Sequence, residues 1–295
     1  MRTMTKVGVI LAACALAIGM CACGSKGSSA AGTGTGDNSS LLITSLQQAG
    51  TQEFKTVTFG TYEQDGNTAN GAEPIEWYVL DEQDGKTLLI SKFILDAQPY
   101  DTWGVDYPWY LTNPRPVSDH TWATSSVRAW LNGAFLQKAF SADEQGKIKP
   151  YTSSDTKNFG TTTAADSPSK EAHVEKDITD KVFLLSAWEA KSLFINDDAR
   201  MAQATAYAKA QGVYVNADTA SDQTTVGFSP WWTRTVGYYA GYAAVVVEDG
   251  YVHGDGFRQD GNYHDSFMHG SSYESPLGGQ FGIRPCIWVD SSALK

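Results

Sequence analysis

The segment from residue 253 to residue 269 concentrates side chains that could bind a metal ion, with three of the chain's five histidines and three aspartates. Asp260, Asn262 and Asp265 offer oxygen atoms at short spacing, the donor type that Ca²⁺ prefers. His264 and His269 offer nitrogen atoms for zinc. The alternative is that Gly, Asp and Asn simply fill turns. Because the EF-hand order of acidic residues is missing, we predict no cofactor, with Ca²⁺ as the alternative.

Aromatic side chains around the same segment predict a ligand-binding surface. Tyrosine and tryptophan on loops provide a large rigid contact area at a low entropic cost, which suits glycan or protein recognition. The alternative is that these rings pack beneath the loops as additional core. The residues that we predict to bind a ligand are Tyr238, Tyr239, Tyr242, Asp255, Arg258, Tyr263 and His264.

Nucleophilic catalysis has little support in the sequence. The chain has no Gly-x-Ser-x-Gly, His-Glu-x-x-His or phosphate-binding Gly-rich motif. Cys286 lies in the apolar run Pro285–Val289 and is predicted to be a buried hydrophobe. Carboxylates that could converge for hydrolysis are Glu76, Asp96, Asp101 and Asp106. We therefore predict a protein without catalytic activity, with a surface hydrolase that uses loop carboxylates as the alternative.

Two strand-like segments flank the ligand segment, and each contains one arginine. The first contains Trp231, Trp232 and Arg234, and the second contains Arg284 and Trp288. A buried arginine can clamp an anionic ligand or tie loop carbonyls inside the fold, and we favour the structural role. We predict that these segments form the last sheet of the domain. The predicted core residues are Trp77, Trp130, Trp231, Trp232, Arg234, Arg284 and Trp288.

The first 23 residues read as a targeting segment. Arg2 and Lys6 precede the apolar run from Val7 to Met20, which is too short to span a membrane comfortably. The run ends in Met-Cys-Ala-Cys-Gly-Ser, which resembles a bacterial lipoprotein signal. We predict that Cys23 is lipidated, with palmitate in the anchor, and Cys21 is the alternative. This predicts a chain that is attached to the cell membrane on its extracytoplasmic side.

The remaining sequence divides into a tether and a globular domain. Residues 24–52 are rich in Gly, Ser and Thr, a composition typical of flexible linkers. Residues 53–295 are predicted to form a single domain, since the chain is 42% hydrophobic and only 19% charged. The formal net charge is −11, and no basic cluster offsets it, so nucleic acid is excluded as a partner.

Local patterns predict strands at both ends of the domain and helices between them. Lys55–Gly60 alternates, and an Asp84-Gly85 turn joins two β-rich runs into a hairpin. Ser141 and Ser186 each stand three residues before a glutamate, the spacing of a capping box. Asp197 or Asp198 is predicted to cap one helix over residues 199–211. This order favours an α+β fold.

Seven landmarks in register carry a resemblance to a known family. They are Val57–Tyr62, Pro74–Leu80, Leu88–Ser91, Ser126–Asn132, Asp180–Ser186, Trp231–Arg234 and Gly282–Pro285. Together they resemble a family of bacterial extracytoplasmic proteins defined as a domain of unknown function (number 6273). Thr233 and Thr235-Val236 depart from the pattern, which has Leu and Ser-Pro there.

More distantly, the chain is similar to the C-type lectin-like fold, nearest to its formylglycine-generating-enzyme branch. This resemblance implies a mixed, mostly antiparallel sheet with a few flanking helices and long loops that display a ligand surface. The predicted function is therefore a membrane-anchored module that binds a glycan or a protein. The remaining alternative is a structural protein of the cell envelope.

Overall fold

Two larger β-sheets, a two-stranded sheet and short helices make up the part of the chain that the computed structural model describes, residues 52–101, 121–153, 177–217, 223–236, 242–258 and 281–294. These residues fall within one compact unit that spans Ile43–Lys295. Strand pairing within the sheets is antiparallel except between two strands of the five-stranded sheet. The fold is mixed α+β and mostly antiparallel, which confirms the predicted α+β class.

The strands in chain order are β1 (Thr56–Tyr62), β2 (Glu73–Gln83), β3 (Lys86–Ser91), β4 (Asp96–Ala97), β5 (Ile148–Lys149), β6 (Tyr151–Ser153), β7 (Ile178–Asp180), β8 (Val182–Phe183), β9 (Trp231–Val236), β10 (Tyr242–Val246), β11 (Val252–Arg258), β12 (Gly282–Ile283) and β13 (Cys286–Asp290). The six-stranded sheet has the order β1-β2-β3-β13-β5, with β8 also paired to β13. The five-stranded sheet has the order β11-β10-β9-β12-β4, and β6 pairs with β7.

The α-helices are short. They are α1 (Ser126–Trp130), α2 (Leu136–Ala139), α3 (Ala142–Lys147), α4 (Ala187–Leu193), α5 (Asp197–Arg200) and α6 (Ala206–Ala210). A π-helical turn, Leu131–Phe135, joins α1 to α2. Within the described ranges, no helix has the length and apolarity needed to span a bilayer.

Local sequence signals account for most of these boundaries. Asp84 and Gly85 both have positive φ, 50° and 71°, as the tight turn between β2 and β3 requires. Ser141 and Ser186 both form complete capping boxes, with Glu144 and Glu189. The prediction of one helix over residues 199–211 was wrong. Asn196 caps α5, and a separate helix α6 starts after Thr205.

Long-range pairing explains why that helix is interrupted. Ala204 forms a parallel bridge with Ile94, and Gln203 forms an antiparallel bridge with Phe228. The amide of Thr205 also donates to the carbonyl of Ile94 at 3.0 Å. Residues 201–205 therefore use their backbone groups on neighbouring chain segments and do not continue a helix.

The C-terminal segment was predicted to form one sheet, but the structure divides it between two. Strands β9 to β12 lie in the five-stranded sheet, and β13 lies in the six-stranded sheet. The chain crosses between the sheets at Arg284 and Pro285, beside the crossing from β3 to β4. There the amide of Ser91 donates to the carbonyl of Pro285, and the amide of Leu95 donates to the carbonyl of Ile283. One apolar core fills the space that both sheets enclose.

Candidate functional site

One end of the five-stranded sheet carries the boundaries of the predicted ligand segments. Ala243 of β10 pairs with Val236, the last residue of β9. Tyr242, the first residue of β10, pairs with Arg258, the last residue of β11. The end of β9, the start of β10 and the end of β11 therefore lie side by side, and we call this the loop end of the sheet. The turn between β10 and β11, which contains Tyr251, lies at the opposite end.

The predicted ligand residues are only in part within the described structure. Tyr242 lies in β10, and Asp255 and Arg258 lie in β11. The other predicted ligand residues, Tyr238, Tyr239, Tyr263 and His264, lie outside the described residues. So do the predicted metal ligands Asp260, Asn262 and Asp265, and the predicted lipidation site Cys23.

The sheet beneath the loop end is closely packed. Trp231 and Trp232 are both fully buried. The indole N–H of Trp231 donates to the carbonyl of Arg200 at 3.2 Å, and that of Trp232 donates to the carbonyl of Gln98 at 3.0 Å. The hydroxyl of Thr233 donates to the carbonyl of Ala244 at 2.8 Å. Polar atoms on buried rings are thus satisfied, and the sheet can hold its loop end in a fixed position.

The other tryptophans of the predicted core differ in burial. Trp77 is fully buried, and its indole N–H donates to the carbonyl of Phe59 at 2.7 Å. Trp288 is buried in β13, with the ammonium of Lys86 at 5.8 Å from its ring centroid. Trp130 is only half-buried and packs on Phe135 with 5.2 Å between ring centroids.

Arg234 is occupied inside the fold. Its guanidinium contacts both carboxylate oxygens of Glu189, and Nη1 also donates to the carbonyl of Leu184 at 2.9 Å. The hydroxyl of Tyr151 donates to Glu189 at 2.6 Å. Burial alone would raise the pKa of Glu189, but the charge and hydrogen bonds of Arg234 and the bond from Tyr151 outweigh it and lower that pKa. Arg234 thereby joins β9 to the start of α4.

Arg284 is fully buried and contacts carbonyls in place of a carboxylate. Its Nε donates to the carbonyl of Ser91 at 2.9 Å, and Nη1 donates to the carbonyl of Arg200 at 3.1 Å. Its guanidinium carbon lies 5.3 Å from the ring centroid of Trp231 and 5.7 Å from that of Phe194. Burial lowers the pKa of Arg284 to about 10, so the side chain keeps its charge at neutral pH.

Neither arginine can therefore clamp a ligand that arrives from solvent. Arg284 has no exposed surface, and the guanidinium of Arg234 already carries the carboxylate of Glu189. Cys286, two residues after Arg284, is also fully buried, and burial raises the pKa of its thiol. A thiol that stays protonated and has no access to solvent does not suit a nucleophile.

Asp96, one of the four carboxylates named from the sequence, is buried in the edge strand β4. Asp96 accepts a 2.5 Å hydrogen bond from the hydroxyl of Tyr62 and a 2.7 Å bond from the amide of Ala97. The ring of Tyr207 is perpendicular to that of Tyr62, and the ammonium of Lys138 lies 4.6 Å from the Tyr62 ring centroid. Burial raises the pKa of Asp96, against the hydrogen bonds that it accepts.

The carboxylates proposed to converge for hydrolysis have separate environments. Glu76 pairs with Lys92 at 3.1 Å, and Asp96 is held by Tyr62. Asp101 is buried, and Asp106 lies outside the described residues. Asp96 was named on sequence grounds only as one of four acids, and its partner Tyr62 is 34 positions away. No local spacing rule could have paired them.

Three carboxylates come together where the loop after β1 meets the start of β2, with one oxygen of each within 4.8 Å of the others. They belong to Glu63 and Asp65 in the loop and to Glu73, the first residue of β2. Each already accepts a bond from the same loop. The amide of Gly66 donates to Glu63, that of Asn67 donates to Asp65, and that of Gln64 donates to Glu73. These bonds explain the grouping as loop structure.

Comparison with curated proteins found no match. Comparison with solved structures found none either. A family model does match residues 84–291, which is more than two thirds of the chain, and its description is "Domain of unknown function (DUF6273)". The first two sequence landmarks, in β1 and β2, lie before the matched range, whereas the other five lie within it. The chain therefore belongs to the DUF6273 family.

Proposed function

We propose that this protein is a lipid-anchored extracytoplasmic module that binds a glycan or a protein at the loop end of its five-stranded sheet. The observation that carries the proposal is the strand register. Val236, Tyr242 and Arg258 lie together at one end of a buried, hydrogen-bonded sheet. The sequence segments that start or end there contain Tyr238, Tyr239 and Tyr263. Rigid scaffolds that carry aromatic loops are a common design for recognition.

A C-type lectin-like architecture is part of this proposal. It is supported by the mixed, mostly antiparallel sheets, the few short helices, and two final strands, β12 and β13, which stand more than twenty residues after β11 in the sequence. Sheets of this kind hold their loops at one end, where ligands bind. The proposal does not include catalysis, because Asp96 is hydrogen-bonded to Tyr62, Glu76 is paired with Lys92, and the thiol of Cys286 is buried.

The ligand is to be sought with arrays of glycans and of extracytoplasmic proteins, probed with the folded chain in Ca²⁺ and in chelator. We expect saturable binding of one class of ligand. Tyr238→Ser, Tyr239→Ser and Tyr263→Ser should each weaken that binding by roughly tenfold, because aromatic anchors carry about 1–2 kcal/mol each at recognition surfaces.

Tyr251→Ser is the matched control, since Tyr251 is an exposed tyrosine at the opposite end of the same hairpin. It should leave the affinity for the ligand unchanged. Equal losses for Tyr251→Ser and Tyr239→Ser, or no loss for any loop tyrosine, would contradict the assignment to the loop end.

The anchor has its own test. Cys23→Ser should abolish incorporation of labelled palmitate and release the chain from the membrane fraction, because the lipidated cysteine becomes the mature N-terminus. Cys21→Ser is the control and should keep both properties. Unchanged membrane association of Cys23→Ser together with its loss in Cys21→Ser would move the anchor to Cys21.

A further inference from the structure

The large hydrophobic side chains that are exposed in the described structure lie on neighbouring chain segments, since Gly250, beside Tyr251, approaches the backbone of Asp197, two residues after Ile195. They are Trp188, Ile195 and Tyr251, with exposed fractions of 42%, 57% and 48%. Trp188 and Lys191 lie one turn apart on α4, and Ile195 follows that helix. The ammonium of Lys191 lies 5.8 Å from the ring centroid of Tyr251. We call these four residues the entry patch.

The N-terminal part of the described chain joins the domain beside the entry patch. The side-chain amide of Gln52 donates to the carbonyl of Leu193 at 3.2 Å and accepts from the amide of Ile195 at 2.9 Å. The ring of Phe54 contacts that of Phe194 with 5.6 Å between centroids. Gln52, the first described residue, therefore lies at the side of the domain where Ile195 is exposed.

The length of the chain between Cys23 and Gln52 keeps the domain near its attachment point. Gln52 is 29 positions after Cys23, so even a fully extended chain could place it no more than about 100 Å from a lipid anchor at Cys23. A tether this short gives a surface on the domain a high effective concentration at the bilayer, so weak contacts are sufficient for docking.

The entry patch also lies opposite the loop end. Tyr251 is in the turn of the β10–β11 hairpin, whereas Tyr242 and Arg258 pair at the other end of that hairpin. A domain that rests on the turn side directs the loop end away from the surface beneath it. Such an orientation is the one that a membrane-anchored binding module needs.

We propose that the entry patch docks on the surface of a phospholipid bilayer, an inference that rests on the proposed lipid anchor. Tryptophan and tyrosine prefer the boundary between acyl chains and headgroups, and a lysine stem can cross that boundary to reach a phosphate. Ile195 supplies the apolar side chain that enters deepest. Together the four residues form a small interfacial surface of mixed aromatic, aliphatic and basic character.

The neighbouring charges specify the headgroup. Asp197 and Asp198 follow Ile195, and Asp249 lies two residues before Tyr251. Asp197 is paired with Arg200, whereas Asp198 and Asp249 are exposed. The chain as a whole is acidic, with a net charge of −11. Zwitterionic headgroups that carry a cationic ammonium group, such as choline or ethanolamine, fit this rim, and docking should weaken as anionic lipid is added.

The test is a quenching measurement on the full lipidated chain in phosphatidylcholine–phosphatidylethanolamine vesicles. Ile195→Cys is labelled with an environment-sensitive fluorophore, because Cys286 is buried and does not compete for the label. Thr68→Cys is the control, since this exposed residue lies at the opposite end of β1 from Gln52. Lipids with a headgroup spin label should quench the label at position 195 strongly and the label at position 68 only weakly.

Variants of the patch complete the test. Trp188→Ser with Tyr251→Ser should lower the quenching at position 195 to the level at position 68, while urea unfolding checks that the domain remains folded. Equal quenching at both positions in the wild-type background, or no effect of the double substitution, would overturn the docking proposal. The proposal would also be overturned if, without vesicles, the fluorescence of the label at position 195 changed as the protein concentration rose. Such a change would indicate that a second copy of the chain covers the patch.

Failure of the anchor gives a different result. If the wild-type chain does not float with the vesicles in a density gradient, the proposed anchor is wrong and the docking that depends on it falls too. If the chain floats and the two labels are quenched equally, the anchor stands and only the docking is overturned.

Discussion

Arg234 and Arg284 differ in how the fold compensates a buried guanidinium. Arg234 faces the carboxylate of Glu189, which also caps α4 through the amide of Ser186. Arg284 has carbonyl acceptors and aromatic rings around it. The strength of the Arg234–Glu189 ion pair depends on the charge of Glu189, which titrates. Arg284 keeps its charge and ties the crossing between the sheets to the carbonyls of Ser91 and Arg200.

The contacts of the two arginines indicate whether either side chain is available to bind a ligand. Both arginines belong to the segments that flank the predicted ligand region, and on sequence grounds either could have bound an anion. Because both guanidinium groups are buried within the fold, we propose the loop end as the place where a ligand binds. The following substitutions test whether the two arginines are structural in the different ways described.

Arg284→Ala should have the largest effect. It removes one donor from each of the carbonyls of Ser91 and Arg200 and opens a cavity beside Trp231, so the free energy of unfolding should fall by about 4 kcal/mol. Urea unfolding followed by tryptophan fluorescence measures the change. Lys55→Ala, which removes an exposed pair with Glu82, should cost below about 0.5 kcal/mol. A loss below 1 kcal/mol for Arg284→Ala would contradict its role at the crossing.

Arg234→Met should cost about 3 kcal/mol, because it leaves Glu189 without its cation. The double variant Arg234→Met/Glu189→Met should recover part of this loss, since a buried ion pair can be replaced by apolar side chains at little cost. A double-mutant cycle from urea unfolding measures the coupling. Strictly additive losses would show that the two side chains do not act as a pair.

The pH dependence of stability should separate the two arginines. The pKa of Glu189 is lowered in the folded chain, so its stabilising contribution is complete above the ordinary value of 4.5 and is lost as the pH falls through the folded pKa. Glu189→Gln should remove this acid-sensitive part of the unfolding free energy. Arg284 remains charged over that range, so Arg284→Met should leave the shape of the pH profile as it is in the parent chain.

Tyr62→Phe should have the smallest of these effects, roughly 1–2 kcal/mol, from loss of the hydroxyl that donates to Asp96. Asp96 is a buried acid held by hydrogen bonds, as Arg284 is a buried base held by hydrogen bonds. Because the folded pKa of Asp96 is raised, its contribution to stability declines as the pH rises through that pKa. Tyr251→Phe, at an exposed tyrosine, serves as the control in the same denaturation series.

Local chemistry was enough to predict part of the fold. The Asp84-Gly85 turn and the two capping boxes depend on residues that are neighbours in the chain, and all three form as expected. The break at residues 201–205 could not be predicted, because it arises from pairing with Ile94 and Phe228. The division of the C-terminal segment between two sheets has the same kind of cause.

The candidate site was less accessible to sequence reasoning than the fold. The sequence was enough to name aromatic and acidic residues near Tyr242 and Arg258. That the segments containing them start or end at the same end of the sheet follows only from the strand register. The contact of Tyr62 with Asp96 and the position of Gln52 beside Ile195 join residues that are far apart in sequence. Such contacts become visible only once the chain is folded.

We propose that the loop end binds the ligand and that β9, which contains Arg234, and β13, which follows Arg284, support it. Hydrogen exchange of the chain with and without the glycan or protein found in the array screen tests this claim most directly. We expect ligand-induced protection in peptides that cover residues 237–242 and 258–280, with unchanged exchange at Arg234 and at Cys286–Asp290. Protection centred on β9 and β13, or on Tyr62 and Asp96, with no change at the loop end would contradict this proposal.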